Sequence, residues 1–240
     1  MSLEFDILFE DDSIVAINKP PRVLVIQDRF NKLEPNLHDI LTKKYEKIFT
    51  LHRLDKETSG VLLFAKNQEA HRELSIQFET HKVQKIYKAL LKGTPKADEG
   101  IIDVPIGKKN EHENVMIPDQ KKGKPSVTFY KVIKKYKGFS LVEAFPKTGR
   151  THQLRVHFKS IGCPLAIDKL YNGNEKIFLS DIKSKFTPSA GGEKPLMDRL
   201  TLHAAAIEFI HPLTKNKMKI EAPHFKDFRS LLKNLDKYGL

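Results

Sequence analysis

Between Lys85 and Phe145 the chain holds four stretches rich in Ile, Val, Tyr and Phe, at Lys85–Leu91, Gly100–Ile106, Ser126–Lys134 and Phe139–Phe145, with turn residues between them. Branched and aromatic runs bounded by turn formers predict strands. Helical stripes flank this block. Leu37, Ile40, Leu41, Tyr45 and Ile48 recur at helical spacing behind Asn36, a residue able to cap a helix start. A second helix is predicted from Asn67, with Ala70, Leu74 and Phe78 as its stripe. Leu154, Phe158 and Ile161 mark a third, stopped by Gly162 and Pro164, with Thr151 as a candidate cap; a last helix starts near Lys226. Val15 to Val25 reads as strand, turn, strand around Lys19-Pro20-Pro21, Val61–Ala65 as a buried strand, and Leu200–Ile210 with Lys217–Glu221 as a hairpin. The order is mixed rather than an alternation of strand and helix, which argues against a doubly wound parallel sheet. The expected fold class is α+β: a mixed, largely antiparallel sheet with flanking helices. No repeat or linker divides the chain, so residues 1–240 are expected to form one domain.

Composition enters where partners are concerned. Lys and Arg number 42 against 30 Asp and Glu, a formal charge of +12 that draws the surface toward phosphates or anionic lipid. Hydrophobic residues at 40% exclude a disordered chain. The single cysteine, Cys163, excludes an internal disulfide and a thiolate zinc site, and fits a reducing compartment. The most apolar stretch, from Leu200 to Ile210, contains His203 and Glu208 and is far short of the ~18–20 apolar residues of a spanning helix. The acidic start, with Glu4, Asp6 and Glu10, does not read as a signal peptide. A cytoplasmic protein is expected. Two segments read as loops of functional size, 108–125, which is lysine-rich, and 172–199, read either as a surface insertion or as an RNA contact.

Residues 52–60, His-Arg-Leu-Asp-Lys-Glu-Thr-Ser-Gly, place an imidazole, a guanidinium, a carboxylate and two hydroxyls directly before a buried strand. On composition alone this is a loop held by local side-chain bonds; its density of chemical groups also suits a catalytic loop. A kinase reading fails because no Gly-rich phosphate loop or Asp-Phe-Gly is present. Ser180-Asp-Ile-Lys183 and Lys147-Thr-Gly149 occur in the reverse of the β-lactamase order, and His152 and His157 lack the His-Glu-x-x-His pattern of a zinc enzyme. No metal is expected. In residues 148–157 a strand ends and a helix begins, with Arg150 and Arg155 near its positive end. Either these are solvated basic residues, or an anion waits there, a phosphate or a buried carboxylate.

HRLDKETSGVLLFAKN (52–67) resembles the catalytic motif of the RluA-type pseudouridine synthases, and TGRTHQLRVHFKSIGCPLAID (148–168) is similar to their third motif. AINKPPRVLV from Ala16, KIYKALLKG from Lys85 and LHAAAIEFIHP from Leu202 match the remaining blocks in order. The resemblance covers essentially the whole chain. It departs where Arg22 stands in place of a usual Gly and where Ala166-Ile167-Asp168 replaces Gly-Asp. No S4-type N-terminal RNA-binding domain is expected.

The resemblance implies a pseudouridine synthase fold with a central basic cleft, and isomerisation of uridine in RNA: the N1–C1′ bond breaks, the base turns, and C5 joins C1′. No cofactor is implied. It assigns the catalytic carboxylate to Asp55, as nucleophile or base, and the cation beside it to Arg155. Arg53 would fill the gap left by the flipped base. Tyr87 would stack on the uracil, and Leu202 would wall the pocket, although alone both read as core. Arg150, His52 and Lys19 are expected among the RNA contacts, with Arg22 and Lys169 as further phosphate contacts and Lys85 as a peripheral charge. The implied partner is structured RNA, a ribosomal or transfer RNA stem-loop, bound by a monomer. The alternative is a noncatalytic RNA-binding protein on the same scaffold, for which loss of Asp55, Tyr87 or Arg155 would speak; none is lost. A DNA-binding protein is disfavoured by the absence of helix-turn-helix or zinc-finger patterns.

Overall fold

The computed structural model describes residues 4–28, 31–110, 115–187 and 191–240. In chain order these form β1 (Asp6–Glu10), β2 (Ile14–Lys19), α1 (Leu37–Tyr45), β3 (Phe49–Thr50), β4 (Ser59–Ala65), α2 (Gln68–Glu79), β5 (Gln84–Lys92), β6 (Glu99–Asp103), β7 (Ile106–Lys108), β8 (Met116–Pro118), β9 (Val127–Tyr136), β10 (Phe139–Pro146), α3 (Gln153–Ser160), β11 (Leu202–Ile210), β12 (Lys217–Glu221) and α4 (Lys226–Tyr238). The fold is mixed α+β, and within each of its two units the strand pairs are antiparallel except β4 with β11. The chain divides into two compact units, Met1–Ile86 with His203–Pro223, and Tyr87–Leu202 with His224–Leu240.

In the first unit the strands run β1-β2-β4-β11, with β3 on β4 and β12 on β11. Every residue of β2 and of β4 is buried, which is why both read as unbroken apolar runs rather than alternations. Asn36 caps α1 as expected, accepting from the backbone N–H of Asp39, and Asn67, where the second helix was expected to begin, caps α2 by accepting from the Ala70 N–H. α2 buries Ala70 and Leu74, a full Leu burial contributing about 1.5–3 kcal/mol. The second strand expected before Val25 does not form. Pro20 and Pro21 supply no ladder N–H, and the carbonyls of Leu24 and Val25 accept instead from Leu37 and His38 at the start of α1.

The parallel pairing of β4 with β11 joins only Ser59 to His203 and Gly60 to Ala204. Gly60 has φ +115°, and a Cβ there would lie 2.2 Å from the Ala204 carbonyl oxygen. Gly60→Ala is therefore expected to cost at least ~2 kcal/mol, from backbone strain plus the displaced strand. Chemical denaturation of the variant checks this, and an unchanged midpoint would contradict the close approach.

In the second unit β5, β10, β9 and β6 form an antiparallel run in that order, and β7 pairs with β8. One core cluster joins Ala89, Leu91, Val142, Ala144, Leu154, Phe158 and Leu165; a second joins Leu90, Tyr136, Ile167, Phe228, Leu231 and Leu235. Gly100–Ile106, expected as one strand, breaks into β6 and β7 because Val104-Pro105 interrupts it. The 108–125 loop contains β8, with residues 111–114 outside the described ones. Segment 172–199, of which 188–190 lie outside the described residues, is anchored by an Ile177–Met197 bridge whose side chains enter the second cluster. α3 is not capped by Thr151: His152 occupies the N-cap with φ 55° and makes no side-chain cap bond.

Candidate active site

In the first unit Asp55 stands on the loop from β3 to β4, half-buried, with the Thr58 N–H donating 3.0 Å to its backbone carbonyl. Leu54 beside it is buried and Arg53 is exposed. The β2–β4 register sets Lys19 opposite Gly60, at the end of this loop. Fully buried Lys19 then donates to the carbonyls of Lys56 at 3.0 Å and Pro20 at 2.8 Å. Lys56 pairs outward with Glu34, and Arg22 Nε lies 3.8 Å from Glu57 Oε2. The Lys-Pro-Pro segment and the Asp55 loop are thus tied together at Lys56 and Glu57. His52 stacks on Phe78 with ring centroids 4.9 Å apart and accepts the Leu63 N–H at Nε2, 3.1 Å. The neutral tautomer carrying hydrogen on Nδ1 satisfies that bond. Burial, then the charge of Lys85, pushes the His52 pKa down to about 3. Burial also lowers that of Lys85 to about 8. Behind the loop, Ser59 Oγ and His203 Nδ1 lie 2.9 Å apart, both fully buried, while His203 Nε2 reaches the Ala222 carbonyl at 3.0 Å.

In the second unit Arg155 enters from the first turn of α3. Its Nε and Nη2 donate to Asp168 Oδ2 and Oδ1, both at 2.8 Å, with side-chain exposures of 9% and 1%. Asp168 also accepts the backbone N–H groups of Leu170 and Tyr171 at 3.1 Å each. The guanidinium lies 4.8 Å from the centroid of the Tyr171 ring, and the Tyr171 hydroxyl meets His152 Nδ1 at 2.8 Å. Arg155 is therefore held in a planar bidentate fork and packed on an aromatic face. Arg150 is exposed, with Nε 3.3 Å from the Pro125 carbonyl. The turn before α3 is built by buried Gln153, which accepts from Thr148 Oγ1 and the Arg150 N–H and donates to the Val127 carbonyl and Thr128 Oγ1. Tyr87, half-buried on β5, packs against the core cluster that contains Leu202, which is 4% exposed.

Residues 13–160 match the model of a family described as RNA pseudouridylate synthase. The chain belongs to this family. Over 243 residues it is 35% identical to ribosomal large subunit pseudouridine synthase C of Buchnera aphidicola subsp. Acyrthosiphon pisum, covering 95% of this chain and 70% of that protein. It is 36% identical over 233 residues to tRNA pseudouridine synthase C of Haemophilus ducreyi, covering 92% and 91%. Among solved structures, human RNA pseudouridylate synthase domain containing 4 superposes with TM-score 0.71 at 27% identity, covering 96% of this chain and 92% of that one. The protein is by family an isomerase acting on RNA.

Within this pseudouridine synthase three expectations need correction. His52, expected to contact RNA, instead stacks on Phe78 and accepts the Leu63 N–H, so it supports the loop. Lys19, expected to contact RNA, is 0% exposed and committed to two carbonyls, so its charge ties backbone together. Lys85 is not a peripheral charge but is half withdrawn from solvent. Lys169 keeps its exposed ammonium 2.8 Å from Glu175. The anion inferred for the α3 start exists within its own unit as Asp168, which sequence reading had noted only as a departure from a family pattern. Asp168, Tyr171 and Gln153 were missed as site-building residues; each lies in or beside the 148–168 block, but none has a periodic signal. Arg22 adopts φ 64°, the left-handed region that favours glycine, which accounts for the usual family residue there.

Burial makes three histidines reluctant to protonate: His52, His157, and His224, whose pKa falls to about 4. Their folded pKa values lie below the ordinary 6.5, so between the two values the unfolded chain binds more protons. Stability from these groups is complete above about pH 6.5 and is lost as the pH falls toward 4. Unfolding titrations between pH 7 and 5 should show stability falling, and His52→Gln should flatten that fall. A pH-independent midpoint over this range would contradict the buried neutral imidazoles.

Proposed function

We propose that this protein isomerises uridine to pseudouridine in ribosomal or transfer RNA, with Asp55 as its catalytic carboxylate. The observation that carries this reading is the Asp55 loop itself: a half-buried carboxylate on a segment tied at Lys56 and Glu57 and backed by fully buried polar residues. Such pinning pre-positions a nucleophile or base and lowers the reorganisation needed for reaction. Asp55 attacks or deprotonates the target nucleotide as the N1–C1′ bond breaks; C5 then bonds C1′ and gives its proton to solvent. Tyr87 offers a ring for the extruded uracil against the core that includes Leu202. Arg155, locked by Asp168, supplies a fixed cation, and Arg53 and Arg150 offer exposed guanidinium groups to the RNA. His52, as a neutral packed ring, supports the loop from behind.

The protein is proposed to act as a monomer in the cytoplasm, a setting consistent with its one buried free thiol, Cys163. Tritium release from C5-tritiated transfer RNA and large-subunit ribosomal RNA tests the activity. Release to water is expected with one of them when the RNA is transcribed without modification. RNA bound without release from either would favour the noncatalytic scaffold instead.

A further inference from the structure

We infer that the solvent face of α4 is a docking surface for the RNA phosphate backbone, formed by Lys226, Arg229, Lys233 and Lys237. The inference rests on the RNA reading above and adds a surface that the catalytic motifs do not include. These four residues are all exposed. At 3.6 residues per turn they fall within an arc of about 80° and form a row about 16 Å long. The row lies opposite Phe228, Leu231 and Leu235, the fully buried stripe that holds α4 to the core.

Folding alone does not favour this arrangement. Lys226 and Arg229 are three apart, Arg229 and Lys233 four, Lys233 and Lys237 four, so like charges meet at every step of the row and repel. Lys226 stands in the first turn, at the positive end of the helix dipole, where a cation is unfavourable. Both acids of the helix are engaged elsewhere: Asp227 takes Arg199 in two bonds of 2.6 and 2.7 Å, and Asp236 takes Lys134 and the Tyr136 hydroxyl. Among the described residues no carboxylate lies within ion-pair distance of Lys226, Arg229 or Lys233. The positive charge continues at both ends. Lys183 from segment 172–199 lies 5.2 Å from the centroid of the Tyr238 ring, which also receives Lys237 at 5.0 Å. Near the helix start, the charge of Lys88 joins that of Arg229 beside His224.

A polyanion relieves every one of these repulsions. An anionic membrane is the weaker occupant, because an interfacial helix inserts an apolar face and that of α4 is spent on the core. RNA needs only the cations, since phosphate contacts orient the strand without reading its bases.

The test is a salt titration of binding to total transfer RNA and to a large-subunit ribosomal RNA transcript, comparing the wild type with K226Q/R229Q/K233Q. Each lost phosphate contact makes the log–log slope shallower by roughly 0.7–0.9, so the triple variant should lose about 2–3 in slope, and its affinity should be lower by roughly a hundredfold or more near 0.1 M salt, converging with that of the wild type near 1 M. The charge-keeping K226R/R229K/K233R should retain the wild-type slope. If the triple variant folds poorly, the three single Gln variants each replace it, with an expected slope change of roughly 0.7–0.9. Unchanged slope and affinity in the neutralised variants overturn the inference, as does weaker binding at unchanged slope. Loss of binding to phosphatidylserine vesicles with RNA affinity untouched also overturns it. Tritium release by the wild type is read in parallel. Its absence counts against the proposed activity, whereas normal release with unaltered binding by the variants counts against this surface alone.

Discussion

Asp55→Asn should bind RNA like the wild type and yet isomerise uridine slower by ~10⁴-fold or more, the scale on which an essential catalytic group is lost. The amide keeps the size of the carboxylate but is neither a competent nucleophile nor a useful base. The ties of the loop through the Asp55 and Lys56 carbonyls and through Lys19 are left in place by the substitution. Single-turnover tritium release on a verified target RNA, with affinity measured alongside, separates the two effects. Near-normal turnover by Asp55→Asn would defeat the assignment of the carboxylate and the mechanism built on it.

Asp168→Ala should produce the largest loss of stability among single changes near the candidate site. It removes a carboxylate 1% exposed, bonded to Arg155 in a bidentate pair and to two backbone N–H groups. Breaking a buried bidentate pair from one side costs about 3–5 kcal/mol. In a chain of this length that lowers Tm by about 10 °C. Turnover should fall as well, since Arg155 loses the fork that orients it. Replacing both partners, Arg155→Met with Asp168→Leu, should recover part of the stability without recovering turnover, because an apolar pair removes the broken ion pair from the interior but supplies no cation. Thermal melts of the three variants check this order. An Asp168→Ala protein melting within a degree or two of the wild type would show that the pair does not hold the segment.

Local chemistry was legible in the residues. The cap at Asn36, the start of α2 at Asn67, the stop at Gly162, the buried run of β4 and the hairpin of β11 with β12 each follow from side chains within a few positions of one another. The motif at 52–60 announced its chemical density because its polar groups adjoin in sequence. Other features were hidden. Lys19 looks like any basic loop residue until the β2–β4 register sets it opposite Gly60, where its ammonium meets carbonyls rather than phosphates. Thr151 has a capping side chain, yet the turn built by Gln153 leaves His152 in the cap position.

By itself the sequence determined most element types and the family, because periodicity, capping and motif are properties of neighbouring residues. Only the tertiary structure decided the partners. That Arg155 is answered by Asp168 and stacked on Tyr171, that His52 is a neutral packed ring, and that the acids of α4 turn away from its basic row depend on side chains far apart along the chain. Charge and burial act through space, over a few ångströms, and sequence separation carries no record of that distance until the strands and helices are packed.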